Sequence, residues 1–534
     1  MTKMLQSILI CLISFVLVAS IGNAAGFKLV VVEEGTRNGR LTSDVNGDTI
    51  IVGAPAGFGM ARIYVGRGSK WKEQAELTVK PVHGNMNRAI PSFGVAVDLT
   101  GPHELASPNY AVIGASRAGA DESLAGAAFI FARNRNQWNE QAKLVAADVA
   151  PNDSFGDAVS IEGDVTVIGS PGDDDAGSGS GSAYIFVRDG TAWKQQVKLA
   201  PADLQRSDAF GTAVLVYRNT VVVGAPKHTH SGVRFTGAAY VFERNGDTWI
   251  QKAKLVADDA AKSDNFGGSL AMGGNTIIVG APLADSDRGK DSGAAYVFVR
   301  DGAGWRQQAK FGPKDAKKAD QFGSDVAVSG SIAIVGAKTR EEGAPGSGAA
   351  YAFVRVNGRW EEREKNLPND AEQKINYGES VSMSGNTVVI SSHNAGNAGP
   401  ESAHGVAVYV YDSVKDFDTP PYAVEASDLS ATTLGHVKRT ALFQNFPNPF
   451  NPETWLPYRL ANDANVRIRI YDAQGRLTRD LDIGIQRSGD YLTREAAAYW
   501  DGRNLFGETV SSGVHYYTLR AGSFQATRRM SIVK

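Results

Sequence analysis

Apolar residues along most of the chain occur in short runs rich in β-branched and aromatic residues, separated by glycine, asparagine and aspartate. Helical periodicity is weak, so the pattern predicts strands joined by tight turns. The runs repeat, and each copy begins at an aromatic–glycine pair. The pairs are Phe93-Gly94, Phe155-Gly156, Phe210-Gly211, Phe266-Gly267, Phe322-Gly323 and Tyr377-Gly378.

Each copy contains three further runs after this pair. A β-branched run ends in Gly-Ala-Pro or a variant, as at Val223–Pro226, and a run such as Gly237–Phe242 follows it. A last run starts at tryptophan, as at Trp193–Leu199. An upstream copy around Val52–Pro55 has Gly39-Arg40 in place of Phe-Gly, which brings the number of copies to seven. Seven copies of four strands predict an all-β fold, a seven-bladed β-propeller.

Small residues in the Gly-Ala-Pro and Gly-Ala-Ala runs predict that these are the inner strands of each blade, with the tryptophan strand outermost. The last copy has a third strand at Val406–Tyr411 but no tryptophan strand after it. Near the N-terminus, Phe27–Val30 resembles Ala253–Val256 of a tryptophan strand. We therefore expect Phe27–Glu33 to complete the last blade, which would remove an exposed sheet edge.

The ordered Phe-Gly and Gly-Ala-Pro motifs resemble the FG-GAP repeats of integrin α-subunit propellers, over Phe27–Asp412. The resemblance implies a propeller domain spanning 25–412. Such repeats often hold calcium in a long acidic loop, but loops such as Met272–Asn275 are short here. Only Asp44–Asp48 comes near that pattern, and it lacks the later carboxylates, so we interpret it as a β-turn.

The repeat stops after Asp412. Residues 413–440 contain Pro420-Pro421 and many small polar residues, which predict a linker. Asn445–Pro452 is proline-rich and predicts an extended strap. In Val466–Ile470, aliphatic residues alternate with arginines, as in a half-buried strand. Residues 441–534 are therefore predicted to form a small immunoglobulin-like β-sandwich.

The strap Asn445–Pro452 and the segment Gly513–Tyr517 resemble the C-terminal type A sorting domains of type IX secretion cargo. They also resemble the immunoglobulin-like domain of flagellar hook-capping proteins. The resemblance implies that 441–534 directs or anchors the protein, with the export machinery as a partner.

The first 24 residues have the pattern of a signal peptide. Lys3 precedes the apolar run Leu5–Ile21, and Gly22–Ala24 supplies small residues for cleavage. The alternative is an uncleaved membrane anchor, since the run has the length of a short span. We expect cleavage, no membrane span after it, and a secreted or cell-surface bacterial protein that passes through the periplasm.

Composition limits the kinds of site and partner that the mature chain can have. Cys11 is the only cysteine and lies in the signal segment, so the mature chain would have neither disulfides nor thiolate sites. The formal net charge is −2, which gives no indication of nucleic-acid binding.

Few residues suggest a catalytic or metal site. Asp173–Asp175 is interpreted as a solvated loop, with a cation site as the alternative. His228 and His230 would face the same side if they lay on a strand, but a third ligand is missing. The recurring aspartates at 153, 208 and 264 are assigned to turn hydrogen bonds. We assign no catalytic, cofactor-binding or metal-binding residue and expect no cofactor.

Two classes of function remain. The first is a binding or adhesion protein that recognises an extracellular protein or glycan through propeller loops, with inserts at Pro81–Pro91, Lys227–Thr236 and Thr339–Ser347. The second is an enzyme acting on a polysaccharide or another polymer, which needs carboxylates from different blades at the central channel. A structural surface-layer component is a third, weaker interpretation. We expect a binding protein and not an enzyme.

Overall fold

The described part of the chain is built from strands alone. The computed structural model describes residues 26–32, 41–55, 59–66, 71–79, 92–100, 110–118, 125–302, 304–341, 346–367, 376–385, 387–392, 405–411, 440–443, 445, 453–474, 476–486, 489–491, 497–504, 508–522 and 524–532. Within them no helix occurs, and so none has the length and apolarity to cross a membrane. The all-β prediction is confirmed, whereas the signal segment, residues 1–24, lies outside the described residues.

In the described residues the repeat forms seven antiparallel four-stranded sheets, numbered 1 to 7 along the chain. The first strand of the chain is β1 (Gly26–Val32). Sheet 1 contains β2 (Thr42–Asn46), β3 (Thr49–Ala54), β4 (Met60–Val65) and β5 (Lys72–Leu77). Sheet 2 contains β6 (Phe93–Thr100), β7 (Tyr110–Ala115), β8 (Ala127–Asn134) and β9 (Gln137–Leu144). Sheet 3 contains β10 (Ala158–Glu162), β11 (Val165–Ser170), β12 (Ser182–Asp189) and β13 (Ala192–Leu199).

The later copies follow the same plan. Sheet 4 contains β14 (Ala213–Tyr217), β15 (Thr220–Ala225), β16 (Ala238–Asn245) and β17 (Thr248–Leu255). Sheet 5 contains β18 (Ser269–Gly273), β19 (Thr276–Ala281), β20 (Ala294–Asp301) and β21 (Gly304–Phe311). Sheet 6 contains β22 (Phe322–Ser329), β23 (Ile332–Ala337), β24 (Ala349–Val356) and β25 (Arg359–Asn366). Sheet 7 contains β26 (Ser380–Ser384), β27 (Thr387–Ser392), β28 (Gly405–Tyr411) and β1.

Neighbouring sheets contact each other through their first strands. β2 contacts β6, β6 contacts β10, and the series continues through β14, β18, β22 and β26, which contacts β2. Ser43 Oγ of β2 lies 2.7 Å from Ser391 Oγ of sheet 7. This arrangement of repeated four-stranded sheets is consistent with a β-propeller.

The order of strands within each sheet agrees with the prediction. The Gly-Ala-Pro and Gly-Ala-Ala runs form the second and third strands, the inner two of the four, and the strand that follows Phe-Gly, such as β10, takes the first place and contacts the neighbouring sheets. The second strands are buried along their whole length, as in β11, because a neighbouring sheet covers each of their faces. Their small residues therefore serve the close contact between neighbouring sheets.

Strands from distant parts of the chain combine in sheet 7. β1 pairs antiparallel with β28, from Gly26 opposite Tyr411 to Val32 opposite Gly405. The strand expected to close the last copy, Phe27–Glu33, overlaps β1. The sheet order is β1-β28-β27-β26, so β1 takes the outer place that a tryptophan strand takes in the other sheets.

The Phe-Gly pair forms a close contact between sheets. Gly156 has a φ of 90°, and a Cβ on it would lie 2.3 Å from the carbonyl oxygen of Ala127. A Cβ on Gly114, in the second strand of sheet 2, would lie 2.0 Å from the carbonyl oxygen of Gly156. Phe155 packs edge-on against Tyr184 of its own sheet, with ring centroids 5.4 Å apart. Glycine is thus required where two backbones meet, and phenylalanine fills the core beside them.

The described residues divide into two compact units, Met1–Tyr422 and Ala423–Lys534. The division falls within the predicted linker, most of which lies outside the described residues, so the predicted domain limits stay predictions.

The described residues of the second unit form nine strands. They are β29 (Ala441–Leu442), β30 (Thr454–Leu456), β31 (Tyr458–Leu460), β32 (Ala464–Asp472), β33 (Leu477–Gln486), β34 (Gly489–Tyr491), β35 (Ala498–Trp500), β36 (Gly513–Ala521) and β37 (Phe524–Ile532). The order β33-β32-β36-β37 makes a four-stranded sheet, and the shorter strands form the sheets β29-β31-β34 and β30-β35.

The buried face of the four-stranded sheet meets the short strands. Val466, Ile468 and Ile470 are buried and pack in one core with Leu456 and Trp500. The arginines between these aliphatic residues are exposed, which confirms the predicted alternation. The backbone N–H of Asn445, the first residue of the proline-rich strap, donates to the hydroxyl oxygen of buried Tyr517 at 2.7 Å. The rest of the strap, 446–452, lies outside the described residues.

Candidate functional site

The loops at one edge of the seven sheets form a surface that we call the loop face. Strands alternate in direction, so the loop between the second and third strands emerges at the same edge as the loop that leads to the next sheet. Two predicted inserts, Lys227–Thr236 and Thr339–Ser347, connect second and third strands. The third insert, Pro81–Pro91, and residues 342–345 lie outside the described residues.

A buried aspartate two residues before the Phe-Gly pair holds the turn that enters the next sheet. In four copies its Oδ2 accepts the N–H of the residue three positions earlier, at 2.7 to 2.8 Å. The pairs are Asp153 with Ala150, Asp208 with Gln205, Asp264 with Ala261, and Asp320 with Lys317. The prediction that these aspartates form turn hydrogen bonds is confirmed.

A lysine lies at the centre of the acidic loop of sheet 3. Lys198 Nζ is 2.7 Å from Asp148 Oδ2, 2.8 Å from Asp173 Oδ2 and 2.5 Å from Asp175 Oδ2. Burial alone would lower the pKa of Lys198, but its hydrogen bonds to the three carboxylates raise that pKa above its usual value. The interpretation of Asp173–Asp175 as a solvated loop is wrong for Asp173, because that side chain is buried and also accepts the hydroxyl of Tyr184 at 2.9 Å.

The same three carboxylates have the spacing of a metal site. One oxygen from each of Asp148, Asp173 and Asp175 lies within 4.8 Å of the others, the only such group among the described residues. The ammonium of Lys198 bonds to all three, and so this chain supplies the cluster with a cation of its own.

The lysine–aspartate pair recurs where successive sheets meet. The lysine stands five residues after the tryptophan of its sheet, and the aspartate lies in the loop that precedes that sheet. The further pairs are Lys254 with Asp203 at 2.8 Å, Lys310 with Asp259 at 2.7 Å, and Lys365 with Asp315 at 2.9 Å. In each, burial alone would raise the pKa of the aspartate, but the lysine holds it below the usual range.

One buried position beside these pairs varies in charge. It is the third residue after the Gly-Ala pair or its variant, and it is almost fully buried in every described copy from sheet 2 to sheet 6. The residues there are Ala118, Asp173, His228, Ala284 and Arg340. The repeat therefore tolerates a negative, an apolar or a positive side chain at one place, provided that the partners change with it.

His228 occupies this position in sheet 4. Its Nδ1 lies 2.6 Å from Asp208 Oδ2, and its Nε2 lies 2.6 Å from Lys254 Nζ. His230 is instead in a tight turn, where its backbone bridges to Val233. The two histidines do not face one site as they would on a strand, and both ring nitrogens of His228 are engaged.

Arg340 occupies the position in sheet 6. Its guanidinium lies 2.5 Å from Asp320 and 2.8 Å from Asp315, and its side chain is only 1% exposed. Burial raises the pKa of Asp320, although the arginine and a backbone N–H act against that rise. Two positive groups, Arg340 and Lys365, thus balance two carboxylates in this cluster.

Two aspartates on first strands form a second group of carboxylates. Asp44 of β2 and Asp98 of β6 stand at equivalent places, and each accepts a backbone N–H of the next sheet. Burial first, and then the charge of Asp98, raises the pKa of Asp44 well above its usual range, and burial raises the pKa of Asp98. The pair retains a proton at a pH where an ordinary aspartate has lost it, which is a property of general acids.

The segment Asp44–Asp48 forms the turn that the sequence predicts. Asn46 pairs with Thr49 at the end of the β2–β3 hairpin, and Gly47 has a φ of 61°. Asp48 Oδ1 accepts the hydroxyl of Thr49 at 3.1 Å. Its acidic side chains are thus used in turn and sheet contacts.

Several side chains on the loop face are both apolar and exposed. Val233 and Phe235, in the insert of sheet 4, are each 38% exposed. Val145 and Val149 precede sheet 3 and are 45% and 42% exposed. Exposed apolar residues on firmly held loops suit the recognition of another molecule.

Sequence reasoning missed the lysines at the centres of the clusters. The signal was present, because a lysine stands five residues after the tryptophan in five copies, from Lys143 to Lys365. Its meaning depended on aspartates in two other segments, which only the packing of adjacent sheets brings together.

Comparison with known proteins adds the following. No curated protein matches the chain. A chain of the solved structure entitled "Crystal Structure of Mitotic Checkpoint Complex" has 10% sequence identity and a TM-score of 0.45, covering 74% of this chain and 98% of that chain. PorZ, described as an essential bacterial surface component of the type IX secretion system of Porphyromonas gingivalis, has 11% identity and a TM-score of 0.33, covering 96% of this chain and 69% of its own. These likenesses are too distant to indicate a function.

A family model gives a more specific result. Five segments match the FG-GAP repeat, namely 138–186, 193–242, 249–298, 305–353 and 360–411. Each of the first four begins at the tryptophan of one sheet and ends in the third strand of the next, so each match spans two adjacent sheets. The chain therefore contains FG-GAP repeats between residues 138 and 411.

Proposed function

We propose that this chain is an exported protein whose repeat forms a seven-bladed FG-GAP propeller and binds an extracellular protein or glycan through the loop face. Seven sheets that contact one another in sequence, with β2 of sheet 1 against β26 of sheet 7, support the blade number. The apolar N-terminal segment with small residues after it supports export to the exterior or the cell surface.

The observation that carries the proposal is the contrast between the bases and the tips of the loops. At the base, buried aspartates and lysine–aspartate pairs hold each loop to the adjacent sheet. At the tip of the sheet 4 insert, Val233 and Phe235 are exposed. A rigid base reduces the entropy lost when the tip binds a partner.

Binding arrays test this proposal directly. The full chain is applied to glycan arrays and to extracellular protein fractions, beside the double variant Val233→Ser/Phe235→Ser. We expect the variant to lose at least about tenfold in affinity, since buried aromatic anchors dominate most interfaces. Ile250→Ser is the matched control, because Ile250 is 39% exposed but lies on the outer strand β17. Equal loss in the control, or no loss in the double variant, would contradict a site on these loops.

We further propose that 441–534 directs or anchors the protein and does not contribute to ligand binding. Its resemblance to sorting domains and its place in a separate compact unit support this division of labour. Removal of 441–534 in the native host should leave the protein in the periplasm and leave ligand affinity unchanged. If the protein reaches the cell surface normally without this segment, then 441–534 does not direct its export.

An enzyme is a second candidate because of Asp44 and Asp98. Two carboxyl groups from different sheets, with raised pKa values, are what acid–base hydrolysis of a polymer would need. Polysaccharide turnover by the full chain, abolished in Asp98→Asn, would favour this candidate. If turnover is absent, or if Asp98→Asn does not affect it, the enzyme candidate is excluded and the binding function remains.

A further inference from the structure

The contact between sheets 1 and 2 differs from the four that follow it. Lys143 stands five residues after Trp138, as Lys198 stands after Trp193, but Lys143 is exposed. Its Nζ lies 5.9 Å from the ring centroid of Phe129, at the place where the later sheets have tyrosine. Among the described residues, no carboxylate forms an ion pair with Lys143.

The sequence explains part of this difference. In sheets 3 to 6 the lysine meets an aspartate from the loop that precedes its sheet. Residues 78–92, between β5 and β6, contain neither aspartate nor glutamate. The repeat thus retains the lysine at this position while the segment before sheet 2 omits the usual partner.

A cavity of about 600 Å³ opens at this position. Trp138, which is half-buried, contributes aromatic surface, whereas Phe129 and Phe131 are only 2% and 3% exposed, and Lys143 also lines the cavity. Asn139 and Glu140 contribute hydrogen-bond acceptors on the outer strand of sheet 2. Glu76 also lines the cavity, but its carboxylate lies 3.4 Å from Arg62, which offsets its charge.

We propose that this cavity binds a hexuronate, a sugar carrying a carboxylate, within an acidic polysaccharide. The sugar carboxylate pairs with Lys143 in the place that Asp148 takes beside Lys198. The sugar ring packs against the accessible part of Trp138, and its hydroxyl groups donate to Asn139 and Glu140. The inference rests on the proposed glycan-binding function and adds a ligand class and a second site, apart from Val233 and Phe235.

The chemistry favours a sugar over an apolar carboxylate. A fatty or aromatic acid would leave the polar groups of Asn139 and Glu140 without hydrogen bonds from the ligand. By the usual affinity per atom, a single hexuronate should bind with a Kd on the order of 1 mM, and a polymer that contacts further surface should bind more tightly.

The test is a calorimetric titration of the full chain with oligogalacturonate, beside the neutral galacto-oligosaccharide of the same length. We expect binding of the acidic oligomer only, lost by at least about tenfold in Lys143→Met. Lys310→Met is the matched control, since Lys310 already pairs with Asp259, and it should bind as the unaltered chain does. Monomeric galacturonate in a parallel titration separates recognition of one sugar from recognition of the polymer.

Thermal unfolding of the same variants completes the test. Lys143→Met should melt as the unaltered chain does, whereas Lys198→Met should melt at a lower temperature, because among the described residues carboxylates pair with Lys198 and not with Lys143. Equal destabilisation by the two substitutions would mean that Lys143 has a carboxylate of the chain itself, and would overturn the proposal. Equal binding of the neutral oligomer, or tighter binding of an acidic peptide, would also overturn it. If the hexuronate proposal fails while binding to the arrays still depends on Phe235, the proposed binding function stands.

Discussion

Carboxylates gather in two regions of the repeat, and the two regions stabilise them in opposite ways. At the loop face, Asp148, Asp173 and Asp175 surround the ammonium of Lys198. At the first strands, Asp44 and Asp98 face each other and accept backbone N–H groups. Pairing with a cation holds the pKa of Asp148 below its usual range although burial acts against it, whereas burial and like charge raise the pKa of Asp44.

The difference shows how one repeat can vary its electrostatics without changing its fold. Each copy supplies the same backbone positions, and the side chains at those positions decide whether a cation or a proton balances the charge. Stability at the loop face should therefore depend on lysine and arginine, and stability at the centre on pH.

The largest effect should come from Arg340→Met. The substitution leaves Asp320 buried without its cation, and we expect a loss of about 3 to 5 kcal/mol in the free energy of unfolding. Urea denaturation followed by tryptophan fluorescence measures it. Arg306→Met is the control, because the Arg306–Asp301 pair is exposed and should contribute under about 1 kcal/mol. A small loss at Arg340 would mean that the loop-face clusters do not depend on their cations.

Lys198→Met should have the next largest effect, a loss of about 2 kcal/mol, since Lys198 is partly exposed. The three carboxylates then lack a cation, and calcium should restore much of the loss by binding only the folded chain. Melting curves with calcium and with chelator should nearly coincide for the unaltered chain. Strong calcium stabilisation of the unaltered chain would contradict the view that lysine fills this site.

Asp44 and Asp98 should make the free energy of unfolding depend on pH. A raised pKa in the folded state means that the folded chain binds more protons than the unfolded chain. This contribution to stability therefore falls as pH rises from the usual aspartate pKa of about 3.8 through the raised pKa values of the pair. Asp44→Asn keeps an oxygen for the N–H of Leu99 but removes the charge, and should flatten that fall. Urea titrations at several pH values measure it, with Asp189→Asn as an exposed control. An unchanged slope would show that Asp44 does not titrate in this range.

The smallest effect should come from Lys310→Met. Sheet 5 has Ala284 at the variable position, and Lys310 and Asp259 are both partly exposed. We expect a loss of about 0 to 1 kcal/mol by urea denaturation. A loss as large as that of Lys198→Met would mean that the number of carboxylates around the lysine does not decide the contribution of the cluster.

The sequence predicted the structural features that depend on residues within one copy of the repeat. The four strands and the turn aspartates are local patterns, and their repetition along the chain reinforces them. Small residues such as Gly114 predicted the two inner strands of each sheet, because they permit the close contact between neighbouring sheets that the structure shows. The clusters were missed because Asp148, Asp173 and Lys198 come from three segments that meet only when two sheets pack.

The pairing of β1 with β28 has a consequence for the order of folding. Sheets 1 to 6 each arise from one continuous stretch of chain, so they can form soon after that stretch is available. Sheet 7 must wait, because Gly26 pairs with Tyr411 and the loop between them spans nearly the whole repeat. Until that loop closes, β28 is paired on one edge only and sheet 7 remains incomplete. Closure of this last sheet should therefore be the final step in completing the repeat.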